Sequence, residues 1–248
     1  FFCFAACLWA FLTGMDKLSW GWLGFAGLLF GAAVLVRPAF APFAVLPLVY
    51  HFFVERRRNI IGLTLAFGAG FVLVMAPWWI RNLVSLDQLI VLATGSGNPM
   101  LAGSDPYFRE GSALFQNLQG VDQQALAIQR IKDGFRNEFW LFLEWFTVGK
   151  WWYLFREPWD IPHAGFLDSL RWLHKPLVYI GWAAAVLFAW RWRELRLFAL
   201  MLVDMTGLQL MFLPHERYGF SMMPLVIMLT AMLVVRLWNL IRKEGQTL

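Results

Sequence analysis

The chain has 248 residues, of which 60% are hydrophobic and only 15% charged, with 15 Trp, 24 Phe and a net charge of +5; its mean hydropathy is +0.57. A water-soluble domain carries about a quarter charged residues. Composition excludes a soluble globular enzyme, a disordered chain and a secreted disulfide scaffold, and leaves an all-α polytopic membrane protein.

From the N-terminus, residues 1–15 carry no charge. There is no basic n-region, so this is not a signal peptide. The apolar run of about 12 residues is too short to span a bilayer. It reads as the tail of a transmembrane helix that starts upstream. Cys3 and Cys7 lie one helical turn apart in it and read as packing residues, since two thiols on one turn staple nothing.

Further apolar runs follow at 20–36, 38–54, 60–80, 176–190, 197–213 and 218–235. They are hydrophobic all round rather than striped, as helices among lipid and other helices are. The expected architecture is a bundle of about seven transmembrane helices with a helical insert on the outer face. Its parts are transmembrane helices over 1–80, an extracytoplasmic loop over 81–175, and three more helices with a cytoplasmic tail over 176–248. No internal repeat is evident.

Lys and Arg in the short loops set the orientation. Arg56–Arg58, the Arg191/Arg193/Arg196 group and Arg242-Lys243 fall on one side, taken as cytoplasmic, and the loop at Lys17 joins them. Ten basic and four acidic residues lie there, eleven of each lie outside, and Asp204 lies within a span. The excess charge is therefore a topology signal, and no nucleic-acid partner is expected. Arg81 and Lys175 both lie outside, which allows zero or two crossings between them. The apolar stretch 138–155 is thus expected as an interfacial or re-entrant helix, with Trp140, Trp145, Trp151 and Trp152 suited to the headgroup level.

The informative residues are arginines at the outer ends of spans. Arg37 precedes Pro38, Arg81 follows Pro77-Trp78-Trp79, and Arg217 lies in the turn Pro214-His215-Glu216-Arg217-Tyr218. All three are expected at one outer rim. A guanidinium there suits a phosphate, to which its planar fork can donate two hydrogen bonds. The bland alternative is snorkelling to headgroups, or pairing with Glu216 or Asp87. Asp204 reads as a structural acid, protonated or hydrogen-bonded to a neighbouring helix. The outer loop holds Thr94-Gly95-Ser96-Gly97-Asn98 and Gly103-Ser104-Asp105-Pro106. Such glycines permit close approach to a ligand, and also simply make turns. The four His are scattered, and no cluster has metal-ligand spacing. No cofactor is evident, and a divalent metal is compatible with the chemistry but not indicated.

Four stretches in order carry a family resemblance: Leu35-Val36-Arg37-Pro38; Ala76-Pro77-Trp78-Trp79-Ile80-Arg81-Asn82 with Leu92–Asn98; Gly103-Ser104-Asp105-Pro106 with Lys150 downstream before Trp151-Trp152; and Glu216-Arg217-Tyr218 with Pro224. Together they resemble the membrane part of the GT-C glycosyltransferases that use polyprenyl-phosphate sugars, among them the bacterial relatives of protein mannosyltransferase and aminoarabinose transferase. The resemblance implies transfer of a sugar from a polyprenyl-phosphate carrier to a lipid, glycan or protein acceptor, at the extracytoplasmic face of the cytoplasmic membrane. It implies donor-phosphate contacts from Arg37, Arg81, Lys150, Arg217 and Tyr218, with Asn82, Asn98 and Asp105 on the acceptor or loop side. The family's acidic catalytic base belongs to a first outer loop expected upstream of Phe1, so no residue here is assigned that role. The competing readings are a transporter or lipid flippase, and a non-catalytic membrane scaffold.

Overall fold

The computed structural model of the chain describes residues 2–87, 90–92, 97–116, 118, 122–159 and 166–244. Among these residues every regular element is helical. They group into two compact units, Phe1–Thr94 and Gly95–Leu248. The division falls inside the expected outer insert.

The first unit holds α1 (Phe2–Lys17), α2 (Trp20–Val36), α3 (Pro38–Val54) and α4 (Ile60–Leu86). A tight turn joins α1 to α2, where the Ser19 hydroxyl accepts from the Trp22 amide at 3.5 Å. Helices α2 and α4 pack through small residues. A methyl group on Gly27 would collide with the Phe67 carbonyl, one on Gly70 with the Gly24 carbonyl, and one on Gly31 would lie 2.8 Å from Val74 Cβ. Backbones meet this closely only where side chains are missing. The pairs advance together along both chains, so α2 and α4 run parallel. Three prolines, Pro38, Pro42 and Pro47, withdraw amide donors from α3. It starts as a 3-10 helix over Pro38–Val45, makes one α turn over Leu46–Val49, and ends as a π turn over Tyr50–Val54.

The second unit holds α5 (Gly97–Gly103), two 3-10 turns (Pro106–Phe108 and Gly111–Phe115), α6 (Gln123–Asn137), α7 (residues 139–155), α8 (residues 166–188), α9 (Arg193–Leu210), α10 (Glu216–Phe220) and α11 (Met223–Glu244). Asp122 caps α6, its carboxylate accepting from the Gln124 and Ala125 amides at 2.9 and 3.1 Å. Met100, Leu101, Leu114 and Ala127 form one small core. Phe142, Trp145 and Phe146 form another, backed by Ile131, Phe135 and Phe108. Gly181 lets α8 lie on α11 at Val226, and the Thr230 hydroxyl donates to the Leu177 carbonyl at 3.2 Å.

Helices coincide with all of the expected apolar runs, but their lengths differ. Among the described residues two are, by length and composition, long and apolar enough to cross a membrane, Ile60–Leu86 and Met223–Arg242. Trp20–Val36 and Pro38–Val54 are apolar but shorter; at 1.5 Å per residue, the α-helix Trp20–Val36 reaches roughly 25 Å of a hydrocarbon layer about 30 Å thick. The run 218–235 is not one helix, because α10 ends at Phe220 and α11 begins at Met223. The stretch 138–155 is helical, interrupted by a π turn at Trp145–Gly149.

Candidate functional site

In the first unit, Arg37 is held in extended backbone (φ −146°, ψ 105°) between α2 and α3, as a residue before proline prefers. The parallel register of α2 and α4 carries on past Gly31 and Val74. Arg37 and the Ile80-Arg81 step, each about six residues on, leave the pair at the same end. Arg81 is exposed. Its guanidinium donates to Asn82 Oδ1 at 3.4 Å. Asn82 itself is buried, and its Nδ2 finds no hydrogen-bond partner among the described residues. A buried amide donor without an acceptor is costly, and it lies beside a cation.

In the second unit, the Gly103 stretch and the Glu216 turn are tied to one helix, α7, which itself carries Lys150. The Trp145 indole donates to the Gly103 carbonyl at 2.9 Å. Gly103 in turn lies against the backbone of Phe212 and Leu213, where any side chain would collide. One turn further on, Lys150 is fully buried, and its Nζ donates to the Leu210 carbonyl at 2.6 Å. The same nitrogen lies 3.6 Å from the centre of the Phe146 ring. Burial pushes the Lys150 amine down to about 6. At the end of α7, Gly219 of α10 packs on the Leu154 backbone. Arg156 Nε and its terminal nitrogen meet Glu216 Oε1 at 2.8 and 2.7 Å. Burial pushes the Glu216 carboxyl up, but its own backbone amide and the Arg156 guanidinium outweigh it and hold the group below the usual carboxylate range.

That pair fixes the short helix that presents Arg217 and Tyr218. His215 Nδ1 accepts from the Arg217 amide at 3.2 Å and caps the helix start. The exposed Arg217 guanidinium donates to the Tyr218 hydroxyl at 3.0 Å and lies 5.0 Å from its ring centre. Among the described residues no carboxylate pairs with Arg217, because Glu216 is taken by Arg156.

The other expected residues are placed as follows. Asp105 is buried and its Oδ2 accepts from the Glu110 and Gly111 amides at 2.9 and 3.1 Å, so it shapes the loop from within. That loop carries two left-handed residues, Tyr107 (φ 55°) and Phe108 (φ 56°), a conformation that costs energy outside glycine. Tyr107 is held by its hydroxyl, which donates to Glu144 at 2.8 Å. Asn98 is exposed on α5. Thr94, Gly95 and Ser96 lie outside the described residues, apart from the division they mark. Asp204 is exposed on α9, and no neighbouring helix offers it a hydrogen bond among the described residues. Among those residues, no group of His, Cys, Asp and Glu could hold a metal ion.

Sequence reasoning missed Arg156, which carried no motif. It also missed the Ser104–Arg130–Glu110 chain, in which Arg130 Nε donates to Ser104 Oγ at 3.2 Å and the guanidinium meets the Glu110 carboxylate. No protein-family model, curated protein or solved structure matches the chain.

Proposed function

We propose that the chain is the membrane portion of a glycosyltransferase of the GT-C type, which moves a sugar from a polyprenyl-phosphate carrier to an acceptor at the extracytoplasmic face. In this reading its seven helical runs cross the membrane, and the insert lies outside. The observation that carries the reading is the presentation of Arg217 and Tyr218. An ion pair on the preceding residue occupies the nearby acid, leaving an exposed guanidinium and a phenol side by side on a fixed turn. The leaving group of the transfer is a lipid phosphate whose negative charge grows in the transition state, and donors fixed beforehand stabilise it without reorganising. Arg37, Arg81 and Asn82 bring the same chemistry in the first unit. Lys150 serves by holding the end of α9, from which the Arg217 turn begins, rather than as an open ligand.

The test is transfer from a polyprenyl-phosphate sugar by the full-length membrane protein. Arg217→Ala lowers turnover by about 100-fold, as loss of one charge-stabilising donor does. Turnover equal to wild type rejects the role.

A further inference from the structure

Far along the chain from these motifs, the start of α9 and the end of α11 leave between them a trough of about 340 Å³. Its floor is apolar, made by Trp192, Leu195, Met232 and Val235, while Arg236 and Asn239 stand at its rim. Met232, Arg236 and Asn239 follow one another at i, i+4 and i+7, so a single stripe of α11 turns from apolar to polar as the helix ends. The Arg236 guanidinium lies 5.9 Å from the centre of the Trp192 ring. It is exposed, and no carboxylate meets it among the described residues. Nearby cations are engaged differently. Arg196 donates to the Ala189 and Trp190 carbonyls at 3.1 and 2.7 Å, and Arg242 lies over the Trp238 ring at 5.2 Å.

Two requirements meet in this trough. Its floor opens along a helix long and apolar enough to cross a bilayer, beside the exposed apolar side chains Val234, Trp238 and Ile241. Hydrocarbon fits that floor. Its rim offers a guanidinium and an amide, which suit an anion with several acceptor oxygens. Arg191 just before α9 and Arg193 at its start add positive charge to this end of the unit, which draws anionic lipid. An apolar chain joined to an anionic headgroup satisfies both.

We propose that this trough seats one anionic glycerophospholipid, its acyl chain along the Trp192–Val235 floor and its phosphate on Arg236 and Asn239. The proposal rests on the membrane placement of α11 and is independent of the transfer reaction. Native mass spectrometry of the detergent-solubilised chain with added phosphatidylglycerol or phosphatidylcholine tests it. The expected result is a preference for phosphatidylglycerol of about 10-fold, because both lipids bring the phosphate but the choline ammonium of phosphatidylcholine is repelled by Arg236. Arg236→Gln abolishes the preference, Asn239→Ala weakens it, and Arg242→Gln leaves it unchanged. Equal binding of the two lipids overturns the proposal. So does an equal loss in Arg236→Gln and Arg242→Gln, which would reveal unspecific attraction. Displacement of the lipid by an equal concentration of glycerol 3-phosphate also overturns it, since the floor would then contribute nothing.

Discussion

A lysine in a packed helix face is chemically the least expected residue of the second unit. Lys150 has no exposed surface, bonds the Leu210 carbonyl at 2.6 Å and faces the Phe146 ring. The carbonyl and the ring both favour the charged amine, yet burial prevails and moves it from 10.5 down to about 6. The sign of the consequence follows from proton counting. Between about 6 and 10.5 the unfolded chain holds a proton that the folded chain has released. Stability is therefore greatest above the ordinary lysine value and falls as the pH drops toward 6. Thermal unfolding in detergent micelles should show a midpoint that rises from pH 6 to pH 9. Lys150→Met should remove this contribution to the slope. Replacing the buried amine by an apolar side chain of similar length removes its desolvation cost. The lost bond to Leu210 offsets part of that gain, so the slope is the decisive reading. An identical slope in the variant rejects the assignment.

At the scale of elements, the short helix α10 depends on a partner far away in sequence. Arg156 and Glu216 are 60 residues apart, and the pair anchors a helix of only five residues, Glu216–Phe220. So short a helix has little stability of its own. The pair is half-buried on the Arg side and well buried on the Glu side, so its coupling is expected on the order of 1 kcal/mol. Arg156→Ala, Glu216→Gln and the double variant, compared by unfolding in micelles, should give that coupling; strictly additive losses reject it. Glu216 lies below the usual carboxylate range, so its share of stability is present above the unfolded value and is lost as acid takes the pH through the folded one. This pair also marks the limit of what the sequence makes legible. The helices follow from apolar runs, and the corner at Arg37 follows from Pro38. The close packing of α2 on α4 has its sign in Gly24, Gly27, Gly31 and Gly70. Arg156 has none, because a salt bridge between distant residues leaves no local pattern. Lys150 points the same way: its type suggested an open cation, and only tertiary packing reveals that it is enclosed. Asp105 likewise reads as a ligand in a glycine-rich loop, and becomes a buried acceptor once its carboxylate meets the amides of Glu110 and Gly111.

For the whole molecule, the question is where the 139–155 helix lies. Its inner side packs Phe142, Trp145 and Phe146 against the α6 side of the unit. Its other side exposes Trp140, Val148 and Trp152 at intervals of eight and four residues, an apolar stripe along one helix face. Glu144 lies on that stripe but is held by the Tyr107 hydroxyl. A helix packed on one side, with indoles on the other, suits the headgroup layer better than the hydrocarbon centre. A single crossing there would also reverse every later loop and place Arg191, Arg193 and Arg196 outside, against the bias of Lys and Arg toward the cytoplasmic side. A topology experiment decides the matter. In a Cys3→Ser, Cys7→Ser background, Glu157→Cys should react with a membrane-impermeant maleimide in intact cells, as should Asn98→Cys. Arg57→Cys and Arg193→Cys should react only after permeabilisation. Protection of Glu157→Cys until permeabilisation, with Asn98→Cys still labelled, would mean that the 139–155 helix crosses the membrane, and the Arg217 turn would then move to the cytoplasmic side, where a donor displayed on the outer face cannot reach it.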